Sequence, residues 1–223
     1  MCGRYTLTKI EKLKSRFDVS TLSDLRPSYN VAPGQRMPVV IANESGMHKL
    51  VTMKWGFIPF WAKDPKVGYK LINARDDSVF DKPTWRKSIL KRRCLVPADG
   101  FYEWRKPSSP KDHKQPFFIH PKQIDVFSFA GIWETWKDSD GQELSTYSII
   151  TTSPNKEMSK IHDRMPVILH PDDEGAWLDS SLDNRNDIEP FLQSYDDGLE
   201  MYKVSDEVNS PKNNSPELIN SLS

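Results

Sequence analysis

The sequence has little of what dedicated metal and cofactor sites need. Two cysteines, Cys2 and Cys94, are too few for a disulfide framework, and the ten glycines are too widely spaced for a G-x-G-x-x-G or Walker A loop. The five histidines are scattered and no C-x-x-C or H-E-x-x-H spacing occurs, so we expect neither a metal nor a cofactor. No apolar run approaches the roughly 18 residues of a membrane-spanning helix, so we expect no membrane span.

Charge of neither sign is in excess, because 31 lysines and arginines balance 31 aspartates and glutamates in 223 residues. This balance argues against a globally basic nucleic-acid-binding protein, so such a role must depend on a local patch. The first residues, MCGRYTLTKIEKLKSRF, become polar at once and contain no apolar signal-peptide core. With so few cysteines, a reduced cytoplasmic setting is expected.

Periodicity and turn residues predict many short elements. A capping-box pattern at 8–11 predicts a helix through 17, and β-branched runs at 37–42 and 47–55 predict a hairpin. Segments 21–36 and 56–83 are rich in turn formers or prolines and predict loops. The remaining predicted strands are 94–96, 100–104, 116–120, 126–133, 146–152, 166–169 and 201–204, and the remaining predicted helices are 84–90, 154–160, 171–178 and 187–193.

These elements predict a single α+β domain over residues 1–204, with curved antiparallel strands and helices at its rim. From 205 to 223 the sequence is polar and contains two prolines. This composition predicts a loosely packed C-terminal tail.

Cys2 is the most informative residue, because removal of Met1 would leave a 1,2-aminothiol at the start of the chain. Such an amine has a pKa near 8 and condenses with aldehydes, and the neighbouring thiol can then close a five-membered thiazolidine ring. Alternatively, the thiolate could attack an acyl carbon, as in N-terminal-nucleophile hydrolases. The alternative is that Cys2 has no functional role and is simply the second residue of a frayed terminus.

Polar residues inside apolar or turn-forming strings are further candidates. Asn73 and Arg75 lie in LINARD, and Glu103 lies among aromatic residues in GFYEW. A carboxylate desolvated by such neighbours has a raised pKa and can act as an acid or base, unless strand alternation points it to solvent. His162, in IHDRMP, is either a reactive group or an ordinary turn residue.

A local patch could bind nucleic acid. Basic residues including Lys91 and Arg92 follow the helix predicted at 84–90, and the loop before it carries Trp61 among lysines. Basic side chains beside exposed aromatic rings suit single-stranded nucleic acid, since every base offers a face for stacking. The alternative is that the tryptophans belong to the core, as we expect for Trp55 and Trp133.

Several strings, taken together and in order, resemble the SRAP (SOS-response-associated peptidase) family. The resemblance covers about residues 2–204. The strings are MCGRY at the start, YNVAPGQ at 29–35, WGFIPFWA at 55–62, INARDDSV at 72–79, RRCLVPADGFYEW at 92–104, FAGIWE at 129–134, TT at 151–152 and IHDRMPVIL at 161–169.

The resemblance implies a compact α+β domain with a distorted, mainly antiparallel β-barrel-like core and a cleft over a basic groove. It also implies a monomeric DNA-repair protein of the SOS response, nucleoid-associated if bacterial, that shields abasic sites in single-stranded DNA as a covalent crosslink. Schiff-base lyase chemistry would be a side path, and the peptidase label would correspond to removal of Met1.

Matching residue by residue, the resemblance implies that Cys2 is the nucleophile and attachment point and that Asn73 positions the opened sugar or the N-terminus. Glu103 would transfer protons, and His162 would stabilise or protonate the sugar.

The resemblance also implies DNA-binding residues. Arg4 and Arg75 would contact phosphates, and Trp61 would stack or wedge at a DNA junction. One departure is the acidic pair Asp76 and Asp77 after Arg75, where the family often continues with Ser or Ala and then Glu.

Two rival functions follow from the same residues. An N-terminal-nucleophile cysteine amidohydrolase or peptidase would form an acyl-enzyme thioester and need no aldehyde. A non-covalent single-stranded-DNA-binding module would bind reversibly with salt and leave nothing on a denaturing gel.

Overall fold

The computed structural model describes residues 2–20, 24–43, 45–106 and 113–222. Its strands are β1 (Arg4–Leu7), β2 (Ser28–Val31), β3 (Arg36–Ala42), β4 (His48–Trp55), β5 (Asn73–Arg75), β6 (Arg93–Ala98), β7 (Gly100–Arg105), β8 (Gln115–Pro121), β9 (Phe127–Lys137), β10 (Glu143–Thr152), β11 (Met165–Pro166), β12 (Ile168–Leu169) and β13 (Leu199–Lys203). Its α-helices are α1 (Leu13–Phe17), α2 (Arg86–Lys91), α3 (Glu174–Leu178) and α4 (Arg185–Ile188). Short 3-10 helices lie at Ile10–Lys12, Pro65–Lys70, Met158–Lys160, Pro171–Asp173, Glu189–Phe191, Asp206–Asn209 and Pro216–Ile219.

Five strands close on themselves into a barrel. Strand β10 pairs with β4, β4 with β3, β3 with β6, β6 with β9, and β9 again with β10. Only the β10–β4 pairing in this ring is parallel, and β5 adds a second parallel pairing on β10. The structure therefore confirms the α+β fold with a distorted, mainly antiparallel barrel core and helices at the rim.

A second sheet, in the order β13-β8-β7-β1-β2, places β1 between β7 and β2. The core joins the two sheets, because the fully buried Tyr5 of β1 and Tyr147 of β10 share a hydrogen bond of 2.8 Å between their hydroxyls. The Tyr5 ring also packs on Trp55, with ring centroids 5.2 Å apart. The first strand is therefore held in the interior rather than at an edge.

Three short strands lie where the sequence predicted loops or nothing: β1, β2 and β5. The helix predicted from residue 8 begins later, at Ile10–Lys12, and no side chain caps it. The hydroxyl of Thr8 instead donates to Asp99, at 2.7 Å. Tertiary partners thus replace the local capping pattern. Among the described residues, no helix is long and apolar enough to cross a membrane.

The prediction of a loosely packed tail is wrong for residues 205–222. Val208 and Leu218 are fully buried and pack against Tyr102 and Phe118 on one face of the second sheet. The side chain of Asn30 adds hydrogen bonds to three main-chain carbonyls of this segment. A few isolated apolar residues are enough to hold this segment in place, because they pack on aromatic side chains of the sheet. The average composition of the segment does not reveal such contacts.

Leu218→Ala should lower the free energy of unfolding by about 2–4 kcal/mol, because it removes buried methyl groups and leaves a cavity. Leu222→Ala is the matched control: this leucine is 49% exposed and should cost under about 0.5 kcal/mol. Urea unfolding of both variants measures the difference. Equal small losses would show that the C-terminal segment contributes nothing to folding.

Candidate active site

The N-terminal strand brings Cys2 to the end of β7. Strands β1 and β7 are antiparallel, with Arg4 opposite Tyr102. The residues that precede Arg4 therefore lie on the side of Glu103 and Trp104. Cys2 is fully buried, and its Sγ lies 3.8 Å from the Arg4 carbonyl oxygen. The residue predicted as nucleophile is therefore fixed inside the fold.

Asn73 holds the main chain of Cys2. It begins β5, which is fixed by parallel pairing of Asn73 with Ile149 on β10. Its Nδ2 donates a hydrogen bond of 2.9 Å to the Cys2 carbonyl oxygen. Its Oδ1 is buried and accepts no hydrogen bond from the described residues. Such an acceptor is costly to bury unless a further group uses it, and it suits an amine or sugar hydroxyl.

Glu103 and His162 meet beside this strand. His162 Nε2 lies 3.8 Å from Glu103 Oε1, although the two residues are far apart in sequence. The Glu103 side chain is only 5% exposed, so it does not point to solvent. Burial is the main cause that raises its pKa from the usual 4.5 to about 7. Near neutral pH this carboxyl is therefore poised to give or take a proton.

The His162 ring has a defined orientation. Its Nδ1 accepts a hydrogen bond of 3.0 Å from the main-chain N–H of Arg164, so the neutral ring carries its proton on Nε2, toward Glu103. Nδ1 also lies 2.8 Å from the exposed carboxylate of Asp163, which becomes a partner when the ring is protonated. Burial lowers the pKa of His162, so the neutral form dominates at physiological pH.

The thiol of Cys2 is held in its neutral form. Burial, and then the nearby charge of Glu103, raise its pKa well above the usual value. A thiol rather than a thiolate makes attack by sulfur as the first step unfavourable. The site thus brings together the four residues predicted as catalytic, Cys2, Asn73, Glu103 and His162.

A pocket of about 550 Å³ opens beside two of these four residues. Glu103 and His162 lie in its wall, and several residues that sequence reasoning missed complete it. These are Trp104, Lys106, His113, Lys114, Asp206 and Asn209. Two lysines and a histidine close to the GFYEW string were the available signal, but only the fold brings residues 206–209 to the same rim.

The predicted DNA-binding arginines lie in different environments. The Arg4 guanidinium is directed to the C-terminal segment, where it donates to the carbonyl oxygens of Val208 at 2.7 Å and Asn209 at 3.3 Å. This structural role differs from the expected phosphate contact. Arg75 is exposed, and its guanidinium pairs with Asp77 at 2.6 Å. A phosphate would have to compete with that carboxylate.

Two of the other predicted DNA-binding residues, Lys91 and Arg92, lie at a second depression. Lys91 pairs with Asp183 at 2.7 Å, and Arg92 pairs with the buried Glu134. Both line a groove of about 710 Å³, together with Phe60, Phe80, Arg86, Lys87, Leu90 and Thr135. Next in sequence to Phe60, the Trp61 side chain is 56% exposed, whereas Trp55 is fully buried as predicted.

Within residues 2–20, 24–43, 45–106 and 113–222, no group of three or more histidine, cysteine, aspartate or glutamate side chains could hold a metal ion.

Comparison with known proteins adds an independent finding. A family profile described as SOS response associated peptidase (SRAP) matches residues 1–211. Abasic site processing protein YoqW of Bacillus subtilis (strain 168) is 46% identical over 226 residues, covering 99% of this chain and 100% of the relative. Abasic site processing protein HMCES of Xenopus tropicalis is 33% identical over 222 residues, covering 86% of this chain and 65% of the relative.

A crystal structure of a protein from Bacteroides thetaiotaomicron has the same fold. It superposes with a TM-score of 0.89 at 30% identity and covers 99% of this chain and 100% of that one. Since the family profile spans nearly the whole sequence and the fold agrees with a solved structure, the chain belongs to the SOS response associated peptidase (SRAP) family.

Proposed function

We propose that this protein processes abasic sites in single-stranded DNA and stores them as a covalent thiazolidine between the sugar and Cys2, after removal of Met1. The observation that carries the proposal is the Asn73–Cys2 hydrogen bond beside a buried Glu103 that faces His162. The names of the relatives at 46% and 33% identity, abasic site processing proteins, support abasic sites as the substrate. The setting we propose is cytoplasmic, with the protein acting as a monomer in DNA repair.

The first step is opening of the sugar. An abasic deoxyribose is mostly a closed hemiacetal, so an acid must protonate the ring oxygen before the aldehyde is released. Glu103, with a pKa near 7, holds a proton to give at neutral pH. As the bond between the anomeric carbon and the ring oxygen breaks, the anomeric hydroxyl gives its proton to the Glu103 carboxylate and becomes the aldehyde oxygen. His162, with its Nε2 proton toward the same place, donates a hydrogen bond to the sugar oxygen.

The second step joins protein and DNA. The neutral α-amine of Cys2 attacks the aldehyde carbon, water leaves, and a Schiff base remains. The thiol then adds to the imine carbon, and its proton ends on the nitrogen, which closes the ring without any oxidant or cofactor. Because the thiol is kept neutral, the amine reacts first. Capture by sulfur removes the imine that would otherwise cleave the strand by β-elimination.

The test uses single-stranded DNA with one uracil, either untreated or treated with uracil glycosylase. An adduct that survives denaturing electrophoresis should form only with the treated DNA. A thioester with an acyl probe would instead favour the hydrolase alternative. Binding that high salt abolishes, with no denaturation-stable adduct, would favour a non-covalent module.

An N-terminal fusion provides the matched control for the amine. While the fusion is intact, Cys2 nitrogen is an amide, which cannot form an imine, so no adduct is expected. Cleavage of the same preparation by a protease that leaves Cys2 first should restore it. Full crosslinking by the uncleaved fusion would contradict the proposed mechanism.

Trp61→Ala should weaken non-covalent binding of single-stranded DNA by about 1–3 kcal/mol, because it removes a ring on which a base can stack. Met47→Ala serves as its control, since this side chain is also exposed, at 64%, and lies at the turn of the β3–β4 hairpin. Fluorescence anisotropy with intact single-stranded DNA measures both. Equal affinities of the Trp61→Ala and Met47→Ala variants for DNA would show that Trp61 does not contribute to DNA binding.

A further inference from the structure

A buried ion pair connects the two segments that carry Asn73 and His162. Asp76 directly follows β5, and Arg164 lies two residues after His162. Arg164 Nη2 donates to Asp76 Oδ1 at 2.6 Å, and the two side chains are 9% and 20% exposed. The pair is thus largely withdrawn from solvent, next to the reacting group but without a place in the chemistry described above.

Both partners are anchored to the same end of β10. Arg164 Nη2 also donates to the Thr151 carbonyl oxygen, and the Asp76 main-chain N–H donates to that oxygen at 3.0 Å. The Thr152 hydroxyl donates to Asp76 Oδ2 at 2.6 Å. Each carboxylate oxygen of Asp76 therefore has a donor.

The pair continues directly into the reacting side chains. The main-chain N–H of Arg164 holds the Nδ1 of His162, and Asn73 lies three residues before Asp76 on the strand that holds Cys2. A shift of Arg164 would move the His162 ring relative to Asn73. A displacement of about 1 Å at a reacting group can cost about 10²-fold in rate.

We propose that Asp76 and Arg164 are positioning residues that fix His162 relative to Asn73 and Cys2, an inference that rests on the proposed function for its kinetic test. Stability alone is a weak reason for such a pair, since replacing a buried ion pair by apolar residues is often neutral or stabilising. The pair fixes the position of His162 relative to Asn73 and Cys2, and an apolar replacement would not fix it.

The test compares Asp76→Ala, the double variant Asp76→Ala/Arg164→Met and Asp76→Asn. Asp76→Ala leaves a buried guanidinium without its carboxylate and should destabilise the fold, whereas the double variant removes both charges and should recover stability. We expect crosslinking at saturating protein to slow by about 10- to 100-fold in the double variant. Asp76→Asn keeps an oxygen for Arg164 and should recover most of the rate.

Binding and chemistry are separated with DNA that contains a tetrahydrofuran abasic analogue, which cannot open to an aldehyde. Its Kd should stay within about twofold of wild type in the double variant. Glu174→Ala is the control for stability alone, because it breaks another buried pair, with Arg16 at 2.7 Å, in contact with none of the reacting residues. It should destabilise the fold yet crosslink at the wild-type rate below its Tm.

Three kinetic or binding results would overturn the inference: a stable double variant that crosslinks as fast as wild type, a weaker Kd with an unchanged saturating rate, or an equal slowing by Glu174→Ala. NMR titration of His162 gives a readout that does not need the adduct. The ring faces Glu103, Asp163 and Lys106, and its pKa should shift in the double variant if its position changes. Absence of any adduct with wild type would refute the proposed function, while an unshifted His162 would refute the positioning role.

Discussion

Cys2→Ser should reduce the adduct that survives denaturing electrophoresis by at least about 10²-fold, the scale expected when a reacting nucleophile is lost. The serine retains the α-amine and therefore still forms a Schiff base. A hydroxyl closes a much less stable ring, so the imine persists and β-elimination competes. Cleaved DNA should rise as the durable adduct falls, and borohydride should still trap the imine.

Cys94→Ser is the matched control for this experiment. Both cysteines are free and fully buried, and burial raises the pKa of each thiol above its usual range. Only Cys2 contacts Asn73 and lies near the charge of Glu103. Cys94→Ser should therefore crosslink normally once folded. A Cys2→Ser protein that crosslinks as durably as wild type would refute the thiazolidine.

Glu103→Gln should slow crosslinking by about 10²-fold, because an amide cannot exchange the proton that opens the sugar. In the wild type, sugar opening should slow as pH rises through the Glu103 pKa of about 7, since the acid form is lost. This loss should bend the rate downward from the rise that deprotonation of the Cys2 amine alone would give. The variant should lack that inflection. Single-turnover rates between pH 5 and 9 measure both effects. Identical pH profiles for wild type and Glu103→Gln would show that Glu103 does not transfer the proton.

Glu103→Gln, which should slow crosslinking, should also raise the free energy of unfolding. The folded pKa of Glu103 is raised, so its favourable contribution is present below the unfolded value of 4.5 and is lost as pH rises through about 7. At pH 8 the wild type carries the cost of a buried carboxylate, at most about 3 kcal/mol from 1.36 kcal/mol per pKa unit. Glu103→Gln should remove that cost at pH 8 and gain under about 1 kcal/mol at pH 4.5.

Glu174→Gln separates this effect from burial of glutamate in general. Glu174 is also buried, at 5% exposure, but Arg16 and the Ser128 hydroxyl satisfy its carboxylate at 2.7 Å. Its amide variant should lose stability at pH 8 and keep the wild-type crosslinking rate. Urea unfolding of both variants at the two pH values would show whether the cost at pH 8 is specific to the raised pKa of Glu103.

Much of the fold follows from local pattern. The hairpin of β3 and β4 and the long strands β9 and β10 carry continuous apolar or β-branched runs, and the structure places strands there within a few residues. The strands that hold the site, β1 and β5, do not follow from local pattern. Arg4–Leu7 and Asn73–Arg75 are four and three residues long, and only pairing with distant strands makes them extended.

The candidate site was predictable in its residue types and less so in its contacts. Aromatic neighbours in GFYEW predict a desolvated Glu103, and the structure buries it. Nothing local predicts that Arg4 binds the carbonyls of residues 208 and 209, or that Asp76 binds Arg164. Both involve groups at large sequence separation, and a polar composition conceals the few apolar residues that anchor the C-terminal segment.

The position of β1 has a consequence for folding kinetics. The first residues of most domains fray, yet here the strand beside Cys2 lies between two others, and Arg4 reaches Val208, 204 residues away in sequence. Contacts of such separation form late and slow a folding reaction. Opening them then requires global rather than local unfolding, so hydrogen exchange at Tyr5 should be among the slowest in the protein.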